Sequence, residues 1–152
     1  LDEQAGEIVL RKRYHIGVAT ASEGGLIVPV IRDADQKSVF AIARELEELA
    51  KKVREGKASR DELTGSTFTI SSLGQLGGVL ATPIINFPEV AILGVYQIKD
   101  KPVIRDGQIV PGKIGYLSLT LDHRVVDGGT AARFVNHMKG LLETPMLLVL
   151  DS

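Results

Sequence analysis

Apolar residues recur at three- and four-residue steps at Val39, Ile42, Leu46, Leu49 and Val53. That period predicts a helix from Val39 to Val53 with one face on a core and the other in water. The wet face sets Glu47 before Lys51 and Glu48 before Lys52, acid first at i,i+4. Ser38 or Asp35 can cap its start and Gly56 can end it. The stripe is too short to argue for a coiled-coil partner. A second helical period runs from about Gly129 to Glu143, with Ala131, Phe134, Val135, Met138, Leu141 and Leu142 on its buried face. Pro145 stops it, and Met146 to Leu150 reads as a short terminal strand.

Strand patterns fill the rest. Tyr14 to Thr20 and Leu26 to Ile31 are two, with Gly24-Gly25 as the turn between them. Thr67 to Ser71 alternates and is rich in β-formers. Val90 to Val95 is wholly apolar, as in a strand covered on both faces. Pro102 to Ile104 and Gln108 to Val110 flank Arg105-Asp106-Gly107, a hairpin signal. Leu117, Leu119 and Leu121 alternate with Ser118, Thr120 and Asp122, the mark of a half-buried strand. The expectation is an α/β (α+β) domain, a mixed sheet flanked by helices, with no internal repeat, low-complexity tract or linker.

Composition narrows the chemistry. The chain has 152 residues, 44% of them hydrophobic, enough for a core. Lys and Arg number 18 against 19 Asp and Glu, so no basic footprint for nucleic acid exists. There is no cysteine, which removes disulfides, thiolate metal sites and a cysteine nucleophile. No apolar run approaches the ~18–20 residues that span a membrane. The acidic opening, Leu1 to Glu7, does not read as a signal peptide.

Asp122-His-Arg-Val-Val-Asp-Gly128 sits between a strand and a helix, where rigid elements hold side chains toward a cleft. Histidine alone has an unperturbed pKa near neutrality, so His123 can take and return a proton at pH 7. Asp127, four residues on, can orient it directly or by fixing the loop. Asp127 is equally well placed as the N-cap of the second helix, and both roles can hold together. His15 reads as packed or solvent-facing and His137 as a surface residue. Neither has a partner at metal-ligand spacing, and no metal is expected. The run Thr67 to Gly78 ends a strand in two serines and a glycine-rich turn. It is neither GxGxxG nor a P-loop. A hydroxyl donor beside a reacting carbonyl and a plain tight connection both fit it.

Asp122 to Gly128, Phe68-Thr-Ile-Ser-Ser-Leu-Gly74, Ile84-Ile-Asn-Phe-Pro-Glu-Val-Ala-Ile-Leu-Gly94, Tyr14 to Thr20, Gly25 to Ile31 and Asp33-Ala-Asp35 stand in an order with a precedent. Together they resemble the catalytic domain of the dihydrolipoamide acyltransferases, the E2 components of 2-oxo acid dehydrogenase complexes. The match covers nearly the whole chain. It implies a fold like chloramphenicol acetyltransferase, with the N-terminal part of the domain absent. Residues 1–152 would be the C-terminal portion of that domain, without lipoyl or peripheral subunit-binding domains.

The resemblance further implies acyl transfer between dihydrolipoamide and coenzyme A. His123 resembles the general base, Asp127 the residue that keeps its loop in place, and Ser71 the hydroxyl that stabilises the oxyanion. Ser72 is the alternative one register step away. Leu93 matches a position lining the coenzyme A channel, and Ala81 one where some relatives carry a bulkier aromatic. Coenzyme A and lipoamide would be substrates, with the lipoyl group on a domain outside this chain. A homotrimer building a larger core is implied, with E1 and E3 components meeting it through other domains. The implied compartment is the cytoplasm of a prokaryote or the mitochondrial matrix of a eukaryote. A non-catalytic core component of such a complex is the alternative. A third family with an HxxxDG motif and a doubled histidine is disfavoured, because Asp122 precedes His123.

Overall fold

The computed structural model describes residues 1–73 and 77–150, with side chains as far as Leu148. The turn residues 74–76, including Gly74 of the serine-glycine run, lie outside the described residues. In chain order the elements are β1 (Ile16–Ser22), β2 (Gly25–Ile27), β3 (Val30–Ile31), α1 (Val39–Arg54), β4 (Phe68–Ser72), β5 (Ala91–Val95), β6 (Lys99–Arg105), β7 (Gln108–Ile114), β8 (Leu117–Leu121), α2 (Gly128–Glu143) and α3 (Met146–Leu150).

The main sheet runs β2-β1-β4-β5-β8, with β3 pairing β1 off that path. β1, β4 and β5 are parallel, and β8 runs antiparallel to β5. The sheet is therefore mixed, as expected. β5 lies inside the sheet between β4 and β8, and its Ala91, Ile92, Leu93 and Gly94 are all buried, which is why that strand reads as a continuous apolar run. A second core patch joins Leu49 and Val53 of α1 with Val30 and Ile31 of β3.

Local chemistry sets the helix ends. Ser38 Oγ accepts from the Ala41 amide at 3.2 Å, which selects Ser38 over Asp35 as the cap of α1. At the other end the Gly56 amide donates to Val53 O and Lys57 to Lys52 O, a paired closure that uses the last free carbonyls. The β6–β7 hairpin turns on Asp106 and Gly107, both at positive φ (52° and 77°), the geometry a two-residue loop demands.

Three expectations change. Leu26 to Ile31 is not one strand: Pro29 has no amide hydrogen to give, so β2 stops before it and β3 begins after it. Met146 to Leu150 is a short helix rather than a strand. The Leu147 and Leu148 amides bond back to Thr144 O and Pro145 O, so the backbone is satisfied locally. An apolar run of this length carries no period to distinguish the two. α2 has the predicted span, but none of its residues is buried. Phe134 meets Phe68 edge-on at 5.8 Å, yet remains 41% exposed. Between α2, the N-terminal segment and one sheet face lies a cavity of about 880 Å³, lined by Phe68, Leu119, Ala131 and Phe134 among others.

Candidate active site

β8 ends at Leu121, and the Asp122 amide still bonds Val90 O, so the strand delivers His123 just past the sheet. The chain then turns: the Val125 and Val126 amides both donate to Asp122 O at 3.0 Å. Arg124 locks this turn. Its Nε and one terminal nitrogen bridge the two Asp122 carboxylate oxygens, and its other terminal nitrogen reaches Glu3 at 2.7 Å. Hydrogen bonds from the Arg124 side chain and amide hold the Asp122 carboxyl down at about 2, below its ordinary 3.8. His123 projects from the turn, exposed, and bonds no other described residue.

Asp127 caps α2, its Oδ1 accepting from the Thr130 amide at 2.6 Å. That backbone bond, then one from the Thr130 side chain, lowers its carboxyl pKa, with a smaller electrostatic contribution from His123. Asp127 makes no hydrogen bond to His123, so any orienting it does passes through the loop and not the ring.

Ser71 lies on β4, in register with Gly94 of β5, which is opposite Ser118 of β8. These positions share one sheet face. The Ser71 side chain is half-buried and makes no hydrogen bond to another described residue. A half-buried hydroxyl left uncommitted is free to donate to a charge that forms later. Ser72 points to the opposite face. Leu93 is 2% exposed, so its side chain belongs to the sheet core.

The register keeps Ser71 and His123 apart. Ser71 is level with Gly94 near the end of β5, whereas Leu121 is level with Ala91 at its start. Strand rise and spacing put Leu121 on the order of 15 Å from Ser71, and His123 follows two residues later. Groups that share one reacting centre must come within hydrogen-bond reach of it. One chain does not bring these two together.

The pattern did not flag two hydrogen-bonded groups that fix the return from β4 to β5. Tyr96 Oη donates to Ala81 O at 2.6 Å and lies 2.7 Å from Ser118 Oγ, which is itself 3.0 Å from Ala81 O. Glu89 Oε1 accepts from Ser66, Thr69 and Asn86, tying residues 86–89 to the sheet beside them. The one available signal was Gly94, a glycine interrupting an apolar strand, which marks a close approach of something else. His15 is buried and accepts the Asp33 amide on Nδ1 at 3.0 Å, while His137 is exposed. Among the described residues no cluster of three or more His, Asp or Glu side chains is arranged to hold a metal.

Residues 1–150 match the 2-oxoacid dehydrogenases acyltransferase (catalytic domain) family. The chain belongs to that family. It is 49% identical over 150 residues to the dihydrolipoyllysine-residue acetyltransferase component of the pyruvate dehydrogenase complex of Staphylococcus aureus, covering 99% of this chain and 35% of that one. Among solved structures it resembles Azotobacter vinelandii dihydrolipoamide acetyltransferase, with a TM-score of 0.92 and 44% identity, covering 98% of this chain and 61% of that one. The cubic core of a pyruvate dehydrogenase multienzyme complex is similar, with a TM-score of 0.90 and 45% identity, covering 96% of this chain and 60% of that one. The family member described here thus spans about a third of its curated relative and three-fifths of the solved chains. Its mixed sheet flanked by helices has the chloramphenicol acetyltransferase-like fold of these catalytic cores. The Azotobacter enzyme was studied for the catalytic roles of a serine, a histidine 52 positions later and an asparagine four positions beyond that.

Proposed function

We propose that this chain is the C-terminal portion of an acyltransferase catalytic domain. It moves an acyl group, acetyl by analogy with its named relatives, from dihydrolipoamide to coenzyme A. One observation carries the reading. Ser71 and His123 are 52 positions apart and Asp127 follows four later, the spacing of the three residues studied in the Azotobacter enzyme. The same spacing favours Ser71 over Ser72.

In this mechanism His123 takes the proton of the coenzyme A thiol. The resulting thiolate attacks the thioester carbonyl carbon, and a carbon–sulfur bond forms. Negative charge gathers on the carbonyl oxygen, and Ser71 donates a hydrogen bond to it there. When the intermediate collapses, its bond to the dihydrolipoamide sulfur breaks. That sulfur leaves with the electron pair and recovers the proton from His123. Both thiols belong to substrates, so the chain needs no cysteine of its own. The offset of about 15 Å between Ser71 and the end of β8 that carries His123 supports a site shared by two chains, the histidine from one and the serine from the next, around a threefold ring. A larger core with E1 and E3 components bound through other domains, in a bacterial cytoplasm, completes the proposal.

The test is acetyl transfer from S-acetyldihydrolipoamide to coenzyme A by the full encoded protein. His123→Ala should lower it by roughly 10²–10⁴-fold with the fold retained. Ser71→Ala should lower kcat by about 10²–10³-fold with little change in the KM for coenzyme A. Full activity in folded His123→Ala protein would refute the mechanism. Damage from Ser72→Ala in place of Ser71→Ala would shift the register by one residue.

A further inference from the structure

A side chain at position 94 has no room. A Cβ there would lie 2.1 Å from Tyr96 Oη, 2.8 Å from Tyr96 Cζ and 2.5 Å from Ser118 Oγ. Tyr96 lies one residue past the end of β5, its ring folds back into the space that Gly94 leaves, and it is only 4% exposed. Its hydroxyl ends on the Ala81 carbonyl, with Ser118 alongside. Ala81 belongs to the irregular return from β4 to β5, whose described residues 77–90 lie in no strand or helix. Two hydroxyls, one just past the end of β5 and one on β8, therefore fasten Ala81 to the sheet. The fastening stands over Gly94, and Gly94 is the register partner of Ser71.

We infer that Tyr96, with Ser118, is a positioning residue that clamps the Ala81 carbonyl beside Ser71 and so limits the size of the acyl group held there. This rests on the proposed acyl transfer and deepens it. If Ser71 binds the carbonyl oxygen, the acyl group attached to that carbonyl extends into the space around it. On this inference the 77–83 segment stands at one side of that space, and the clamp fixes where it stands. Tyr96 touches no reacting atom; it acts through the Ala81 peptide. The Tyr96→Phe substitution keeps the ring over Gly94 and removes only the hydroxyl. Ser118→Ala removes the second bond.

Two readouts on the full encoded protein separate the clamp from the chemistry. Amide hydrogen exchange in the 79–85 segment should quicken about five- to tenfold in Tyr96→Phe, and further in the double variant with Ser118→Ala, while the β5 amides stay protected. The kcat/KM ratio for isobutyryl over acetyl transfer should rise about tenfold in Tyr96→Phe, with the KM for coenzyme A unchanged. A merely structural tyrosine would lower both acyl activities together and leave their ratio alone, and that result overturns the inference. Unchanged exchange in both variants overturns the clamp. Faster exchange with an unchanged ratio overturns its role in acyl size. If the unaltered protein transfers neither group, the proposed function falls and the role in acyl size falls with it, whereas the clamp is still judged by exchange.

Discussion

Leu93 is one of the largest fully buried side chains of the molecule, on the strand covered on both faces. An apolar residue can serve a core or line a channel, and its identity alone does not say which. Its burial does. Leu93→Ala should cost about 2–5 kcal/mol in denaturant unfolding and leave the KM for coenzyme A of the folded fraction unchanged. Unaltered stability with a raised KM would return Leu93 to the channel. Ser71 shows the opposite limit of sequence reading. Its hydroxyl, its strand and its neighbours in the chain were legible, but its cross-strand partners were not. Pairing register depends on the whole sheet, so Gly94, Tyr96 and Ser118 could not be attached to Ser71 from spacing.

At the level of elements, those with local signals were legible: α1 from its 3.6-residue period and cap, β5 from its apolar run, and the β6–β7 hairpin from its Asp-Gly turn. Pro29 and the five residues after Pro145 were misread because a neighbour's presence or absence decided them. The turn from Asp122 to Val126 was legible as chemistry and not as mechanics, since the Arg124 bridge to Asp122 and Glu3 leaves no mark in spacing. It makes a pH prediction. The Asp122 carboxyl is held at about 2 in the folded turn against an ordinary 3.8. A depressed folded value stabilises the turn above the ordinary value and loses that contribution as pH falls through the folded one. Between about pH 4 and pH 2 the Val125 and Val126 amides should therefore lose protection relative to their intrinsic exchange rates, with the Asp122 carboxyl shift titrating near the lower end. Arg124→Ala should move that titration back toward the ordinary value; an unmoved midpoint would show that Arg124 is not its cause.

The molecule as a whole exposes 11163 Å². A compact monomer of 16.4 kDa exposes about 7,500 Å². The excess is apolar in places: Leu10, Phe40, Ile84 and Phe87 are 85–90% exposed, and α2 stands over a cavity of about 880 Å³. Surface of this kind is covered in a stable assembly. If the chain is the C-terminal portion of a catalytic domain, as proposed, the 152 residues alone should melt at low temperature with weak cooperativity, and adding the preceding part of that domain should raise the melting temperature and sharpen the transition in calorimetry. An ordinary, cooperative melt that the added segment leaves unchanged would show that this surface needs no cover.

The strand register has a consequence for inheritance. If each site takes its histidine from one chain and its serine from the next, a damaged copy harms sites that its own sequence would otherwise leave intact. Consider assemblies formed from equal amounts of normal and altered chains at random. Chains carrying only His123→Ala disable the sites to which they lend a histidine, and activity falls to about half. Chains carrying His123→Ala and Ser71→Ala together disable two sites in every ring they join, and activity falls to about a quarter. A site built within one chain would give about half in both cases, so co-expressed mixtures tell the two arrangements apart. On the shared arrangement, a doubly damaged gene copy is worse for the cell than an absent one, because its product still assembles.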